Sequence, residues 1–388
     1  MLSWKSDPYL WWVFDSWISR KGSPTKLIQH SPALQQLYAS HVRALMNPRI
    51  SKMKYARQRF SSTAVPLQRC AMLFKALWRF CIDVQATRAG TDPAKYARKF
   101  QSEVTAESVV QAAMMAEAAD EQLLLRRYFD HDKWDATSVA LEINAFLNKL
   151  SSLFITTDPA APAGCLRHGF VKYAIEGLAT PHVCWVDGKQ RIIGGPGAIT
   201  PAIIQRCLSR MANFVRLTVA AASAEFPQWQ LVQSLGVLNL EHRVHRQRGR
   251  PEQPPAEQKQ NIGRLAQAFT LDPDLLEEEF LTCESAAKAR FVQAGNGNST
   301  AAWIGAITQL HRGGEARLQT SPLARILHIA QCWEGLSTSK VEQTFGPSNR
   351  LSPATTGIVH PPMRTWRPGC AATSEVLAKS SRNSVPGS

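Results

Sequence analysis

Acidic residues are scarce in this sequence. Its 388 residues carry 45 Lys and Arg against 30 Asp and Glu, a formal net charge of +15 and an isoelectric point near 9.7. Such an imbalance favours polyanions, of which nucleic acid is the commonest; an acidic membrane surface and plain solubility are the blander alternatives. Paired cysteines are missing too. Eight cysteines (Cys70, Cys81, Cys165, Cys184, Cys207, Cys283, Cys332 and Cys370) form no C-x-x-C pair and no regular spacing. This argues against a disulfide framework and for a reducing compartment. Cys81, Cys207 and Cys332 sit inside apolar helical patterns, where buried free thiols are expected. No apolar run approaches membrane-spanning length. At the start, Lys5, Asp7 and Pro8 interrupt the apolar stretch that a signal peptide needs. The expectation is a soluble, intracellular protein without a membrane role.

Catalytic signatures are equally sparse. There is no G-x-S-x-G elbow and no H-E-x-x-H pair, and Gly194-Gly195-Pro196-Gly197 lacks the Lys-Ser/Thr that would make a phosphate-binding loop. One constellation offers metal-ligand types: Cys165-x-x-His168 with His182-x-Cys184 supplies two Cys and two His, as zinc prefers. Ordinary packing is the competing explanation, and no cofactor is expected.

What is present is helical patterning. Leu34, Leu37, His41 and Leu45 share a face, as do Leu73, Leu77, Phe80 and Val84 in a helix following Pro66. An Ala-rich helix is predicted from about Ala106 to Tyr128. Val139, Ile143, Phe146, Leu147, Leu150 and Phe154 mark an amphipathic helix started by Asp135. Val183 to Val186, then Asp187-Gly188, then Gln190 to Ile193 is a hairpin signal. Helix returns from Pro201 to about Glu225. Residues 242–250 form a basic loop, and Asp272-Pro273 is an N-cap with a first-turn proline. From Pro347 the composition turns to Ser, Thr, Pro and Gly without periodicity, which predicts a disordered tail.

The segment from Leu323 to Gly346 is the most informative. Leu323, Ile326, Leu327, Ala330 and Trp333 fall on one helical face. Gly335 ends that helix, and Ser339-x-x-Glu342 is a capping-box pattern opening another that carries Val341 and Phe345. The order of apolar helix, Ser/Thr turn and V-E-x-x-F resembles the C-terminal dimerisation region of hAT-superfamily transposases. The family's Glu-Arg-x-Phe-Ser core reads here as Glu342, Gln343, Thr344, Phe345 and Gly346. Arg59-Phe60-Ser61-Ser62-Thr63 is similar to the family's Arg-Trp-x-Ser-Thr motif, with Phe for Trp. Ala118-Ala119-Asp120-Glu121, Arg126 and Asn144-Ala145-Phe146 resemble its helical insertion. Phe226-Pro227-x-Trp229, Leu265 to Phe269 and Glu278-Glu279-Phe280 resemble the return to its catalytic core.

The resemblance implies a mainly α fold: the helical insertion plus C-terminal helices of a split RNase-H-like transposase, with one small β-hairpin. Four regions follow: 1–160 helical, 161–203 hairpin and Gly/Pro connector, 204–346 C-terminal helices with the dimerisation segment, and 347–388 tail. Such enzymes hold divalent metals on two Asp and one Glu. Glu342 matches the family's Glu, but it is also the capping-box residue. Only 58 residues precede Arg59, and they read as helix. The one echo of the family's first Asp is Asp15. The expectation is therefore a non-catalytic transposase remnant, not an enzyme, working in the nucleus. Ile326, Leu327, Trp333, Val341 and Phe345 would form a homodimer core. Arg49, Lys52, Lys54, Arg57 and Arg59, with Arg243, Arg246, Arg248 and Arg250, would bind DNA without sequence preference and in a salt-sensitive way. A metal-dependent nuclease with unplaced Asp ligands and a helical scaffold with no nucleic-acid role are the alternatives.

Overall fold

A helix without a polar face has to sit in the middle of a fold. Residues 109–119 supply one: Val109, Val110, Ala112, Ala113, Met114, Met115, Ala116, Ala118 and Ala119 are all fully buried. The computed structural model describes residues 4–45, 53, 61–130, 134–155, 163–167, 169–225, 228–241, 255–295, 297–312 and 314–334. The chain divides into two units, Met1–Glu342 and Gln343–Ser388, and every described residue belongs to the first. Mainly helical content with one two-stranded antiparallel hairpin is the observed class.

In chain order the elements are α1 (Pro8–Phe14), α2 (Pro24–His30), α3 (Pro32–Leu45), α4 (Ser61–Met72), α5 (Phe74–Thr87), α6 (Asp92–Glu103), α7 (Ala106–Asp130), α8 (Val139–Phe154) and α9 (Phe170–Leu178). The hairpin β1 (His182–Val186) and β2 (Lys189–Ile193) follows. Then come α10 (Pro201–Glu225), α11 (Trp229–Leu235), α12 (Pro255–Phe269), α13 (Pro273–Gln293), α14 (Ser299–Leu310), α15 (Glu315–Thr320) and α16 (Pro322–Glu334). A π-helical turn, Asp15–Ser19, continues α1.

The Ala-rich α7 is the hub, with α1, α4, α8, α9 and α10 packed around it. Its small side chains let these neighbours approach closely. Trp17, Trp78, Phe80, Phe100 and Tyr38 fill the space between α1, α3, α5 and α6. The face of α5 matches its pattern: Leu77, Phe80 and Val84 are buried, as is Leu73 just before it. On α3 the buried stripe is Leu34, Tyr38 and Val42, with Leu37, His41 and Leu45 flanking it half-buried. Pro66 lies inside α4 rather than before it. The chain breaks at Leu73, so one expected helix is two.

A second core gathers α11 to α14 and α16 around Trp303, which stacks on Phe280 at 5.0 Å and donates its indole N–H to the Leu238 carbonyl at 2.7 Å. Ile326 (1% exposed) and Leu327 (0%) belong to this core. The apolar stripe of α16 is thus covered within the chain, and these two side chains have no surface left for a partner. Trp333 is half-buried, edge-on to Trp134 at 5.8 Å. Cys332 points outward, in contrast to the expectation, because it falls off the stripe of Leu323, Ile326, Leu327 and Ala330. Cys81 and Cys207 are buried as expected.

A polar clasp joins the elements around this second core. Asp135 accepts from the Thr137 backbone N–H (2.9 Å) and hydroxyl (2.7 Å), and from the Ser299 N–H at 2.7 Å. Glu334 accepts from the Ala136 N–H (3.0 Å), the Thr300 hydroxyl (2.8 Å) and the Asn298 amide (3.0 Å). Two carboxylates therefore sit at the positive N-terminal end of α14.

Candidate nucleic-acid interface

Asp187-Gly188 makes the hairpin turn its sequence predicts: both residues have positive φ, 50° and 75°, as a type I′ turn requires. The register pairs Val183 with Ile192 and Trp185 with Gln190, which puts these four on one face. That face is uncovered: Trp185 is 66% exposed, Ile192 57% and Val183 40%. The opposite face carries His182, Cys184, Val186 and Ile193, all buried in the first core.

The hairpin is anchored at its base and along one edge. Gly195 donates its N–H to the Leu178 carbonyl at 2.8 Å. Gly194, at φ 83°, passes so close to that carbonyl that a Cβ would lie 2.6 Å from its oxygen. The Trp78 indole N–H reaches the Val183 carbonyl at 3.4 Å. The Arg191 guanidinium donates to the carbonyls of Ser102 and Val104, the latter at 2.6 Å. Both lie where α6 ends, where a cation meets the negative end of a helix.

Between this hairpin, α5 and α6 lies a groove of 470 Å³, lined by Ile82, Ala86 and Val183 with Gln85, Gln101 and Arg98. Lys75, Arg79, Ile82 and Ala86 follow one another at helical spacing on α5, so one stripe carries two exposed cations and then the groove floor. The charges of Lys75 and Arg79 reach His182, whose pKa is lowered mainly by burial and further by these two cations. Arg98 in the lining and Lys189, which follows the turn, are exposed, and Asp187 pairs with Arg98 at 3.5 Å. A pair that exposed contributes little and can exchange for a phosphate. The groove thus combines an uncovered indole and an apolar floor with one ion pair in its lining, and further cations stand exposed on the elements that form it.

Comparison with protein-family models, curated proteins and solved structures finds no match to this chain.

The sequence-predicted sites fare differently. Arg49, Lys52, Lys54, Arg57, Arg59, Arg243, Arg246, Arg248 and Arg250 lie outside the described residues, as do Val341, Glu342 and Phe345. Of the four residues of metal-ligand type, His168 is also outside them. Cys165 is buried in a short turn, its thiol pushed up to about 12 by burial and by Glu117. His182 commits Nε2 to the Gly177 carbonyl at 2.9 Å and sets its ring edge-on to Phe74. Burial raises the Cys184 thiol. Neutral, packed thiols are poor metal ligands. Among the described residues no three His, Cys, Asp or Glu side chains are grouped to hold a metal. Asp15 accepts from Ser19 within its own π-helical turn. No described helix is long and apolar enough to cross a membrane.

The groove was missed in the sequence. Its signal was weak: V-C-W-V and Q-R-I-I carry apolar residues on both faces, so alternation does not say which face is covered.

Proposed function

We propose that this chain is a non-catalytic nucleic-acid-binding protein that engages the phosphate backbone along α5 and the hairpin. The observation that carries the reading is the exposed Trp185 indole beside a groove with Arg98 in its lining, where Lys75 and Arg79 stand exposed on the same α5 stripe and Lys189 follows the hairpin turn. Cations fix a polyanion without reading its sequence, and an uncovered aromatic stacks on any base. Support for the non-catalytic part comes from the carboxylates, whose bonds are structural. Glu117 accepts from Phe170 and Val171 at the start of α9, Glu107 holds Arg206 and Arg210, and Glu279 accepts from Ser321 and the Leu323 N–H at the start of α16.

An hAT ancestry belongs to this proposal: in that family the substrate is DNA, and a mainly helical body is what its insertion region would give. Nuclear residence follows from the same reading. Dimerisation would rest on Val341 and Phe345, since Ile326 and Leu327 are covered within the chain.

The test is fluorescence anisotropy with labelled single-stranded and duplex oligonucleotides between about 50 and 200 mM salt. Affinity falls as salt rises, and Lys75→Ala with Arg79→Ala flattens the slope of log K against log salt by about 1.4 for single strands, about 0.7 per lost phosphate contact. Absence of binding at the lowest salt, or an unchanged slope in the double variant, refutes the proposal. The helical-scaffold alternative then stands.

A further inference from the structure

A two-residue turn fixes which backbone groups of β1 remain unused. Val186 and Lys189 flank it as a hydrogen-bonded pair, so Cys184 with Arg191 and His182 with Ile193 are the next such pairs. Val183 and Trp185 therefore aim their N–H and C=O away from β2, toward the groove. The Val183 carbonyl already accepts from Trp78. The Trp185 N–H and C=O have no such anchor from β2, and the indole of the same residue stands at the groove mouth.

The facing wall is a pair of amides. Gln101, fully buried, donates through Nε2 to the Trp78 carbonyl at 3.2 Å. Its Oε1 accepts from Gln85 Nε2, which also donates to the Cys81 carbonyl at 3.2 Å. Both hydrogens of the Gln85 amide are thus engaged inside the protein, and its oxygen is the group left to face the groove. A fixed acceptor opposite an edge-strand donor and acceptor, over an apolar floor of Ile82 and Ala86, is a site for a flat heterocycle with a polar edge. At 470 Å³ it falls within the size range of small-ligand pockets.

Resting on the nucleic-acid reading above, we propose that this groove takes one unstacked nucleobase from a single strand, stacked on Trp185 and selected for an exocyclic amine by the Gln85 carbonyl oxygen. The occupant is a base on a phosphate chain rather than a peptide because the exposed charges on the elements that form the groove are mostly cations: Arg98 in the lining with its partner Asp187, Lys75 and Arg79 on α5, Lys95 and Lys99 on α6, and Lys189 after the turn. A strand-adding peptide would use the same edge of β1, but the Trp78 indole already takes the Val183 carbonyl, which leaves Trp185 alone to pair with it. Cytosine carries the exocyclic amine that thymine lacks, and neither stacks strongly on itself, so these two bases make the comparison.

The experiment is competition anisotropy on the full chain with equal-length oligo-dC, oligo-dT and a mixed-sequence duplex. The expected result is oligo-dC above oligo-dT by about fivefold, the worth of one neutral hydrogen bond. Trp185→Ala, at an exposed position that leaves the fold intact by circular dichroism, lowers single-strand affinity about tenfold and leaves the duplex unchanged. Gln85→Leu removes the preference for oligo-dC while retaining stacking. Equal binding of all three ligands, insensitive to Trp185→Ala, overturns the base pocket and leaves the electrostatic reading standing. Failure to bind any of the three at low salt removes both. Tight capture of an acidic peptide with no oligonucleotide competition assigns the edge to a peptide instead and also overturns the proposal.

Discussion

Replacing Glu334 with alanine removes three hydrogen bonds at once, and the structure says which donors are stranded. The Thr300 hydroxyl, on a buried residue, loses its acceptor, while the Asn298 amide keeps its bond to the Trp134 carbonyl at 3.2 Å. The Ala136 N–H cannot move: its residue is fully buried, at the start of the 3-10 turn Ala136–Ser138. One orphaned buried donor costs about 1–3 kcal/mol, and the two lost bonds from neutral donors to a carboxylate add to it. Burial of the carboxylate itself works the other way and holds its pKa above the usual value. A net loss of about 3 kcal/mol follows, which lowers Tm by about 4 °C in a chain of this size. Differential scanning calorimetry at neutral pH measures it. A group whose pKa is raised by folding stabilises most fully below its unfolded value, and that contribution fades as pH rises through the folded one. The gap between wild type and Glu334→Ala is therefore widest in mild acid and narrows toward neutrality. A Tm within a degree of wild type at both ends of that range would show that the clasp does not hold in solution.

Three further changes probe the rest of the framework. Gly194→Ala places a Cβ 2.6 Å from the Leu178 carbonyl oxygen at a φ of 83° and costs about 2–3 kcal/mol; faster hydrogen exchange across β1 and β2 reports it, and unchanged protection contradicts it. Trp303→Ala empties the second core and strands the Leu238 carbonyl, so urea unfolding shows a loss of about 4 kcal/mol or more; a loss below 2 kcal/mol would mean that core is loosely packed. Val341→Asp puts a charge into the expected association segment, and light scattering shows a drop from dimer to monomer mass; an unchanged mass removes dimerisation through this segment.

Sequence periodicity was most informative where a local signal and a covered face coincide. Asp272 caps α13 by accepting from the N–H groups of Asp274 and Leu275, with Pro273 in the first turn, as Asp-Pro predicts. Asp187-Gly188 turns the hairpin for equally local reasons. Asp135 does precede α8, but it caps the 3-10 turn that leads into the helix and bonds across to Ser299, a partner 164 residues away that no pattern reveals. The hub α7 was legible as a helix and illegible as a hub, since a run of alanines has no stripe and so no preferred buried face. Position 326 shows the opposite limit. An apolar stripe requires a cover but does not name it, and here α13, α14 and their neighbours supply what a second chain was expected to supply. The groove depends on residues 82–101 meeting 183–188, a tertiary coincidence with no local trace.

Several of the acids in this chain are committed to helix ends. Each helix N-terminus is a positive pole with unpaired N–H groups, and a mainly helical body has many of them. The acids are drawn there: Asp7 caps α1, Glu117 holds α9, Asp272 caps α13, Asp135 and Glu334 meet α14, and Glu279 meets α16. Carboxylates engaged in this way are poorly placed to neutralise an outer surface, whereas Lys75, Arg79, Arg98 and Lys189 stand free of any helix-end duty. Among these residues charge is partitioned, the six acids serving the frame and the four bases facing outward. The two roles then separate in measurement. Glu334→Ala shifts unfolding and leaves the salt slope of nucleic-acid binding alone, while Lys75→Ala with Arg79→Ala flattens that slope and leaves unfolding within about 0.5 kcal/mol of wild type. Were the pair of cations to govern stability instead, they would be packing residues, and the stripe they form on α5 would have no claim on a polyanion.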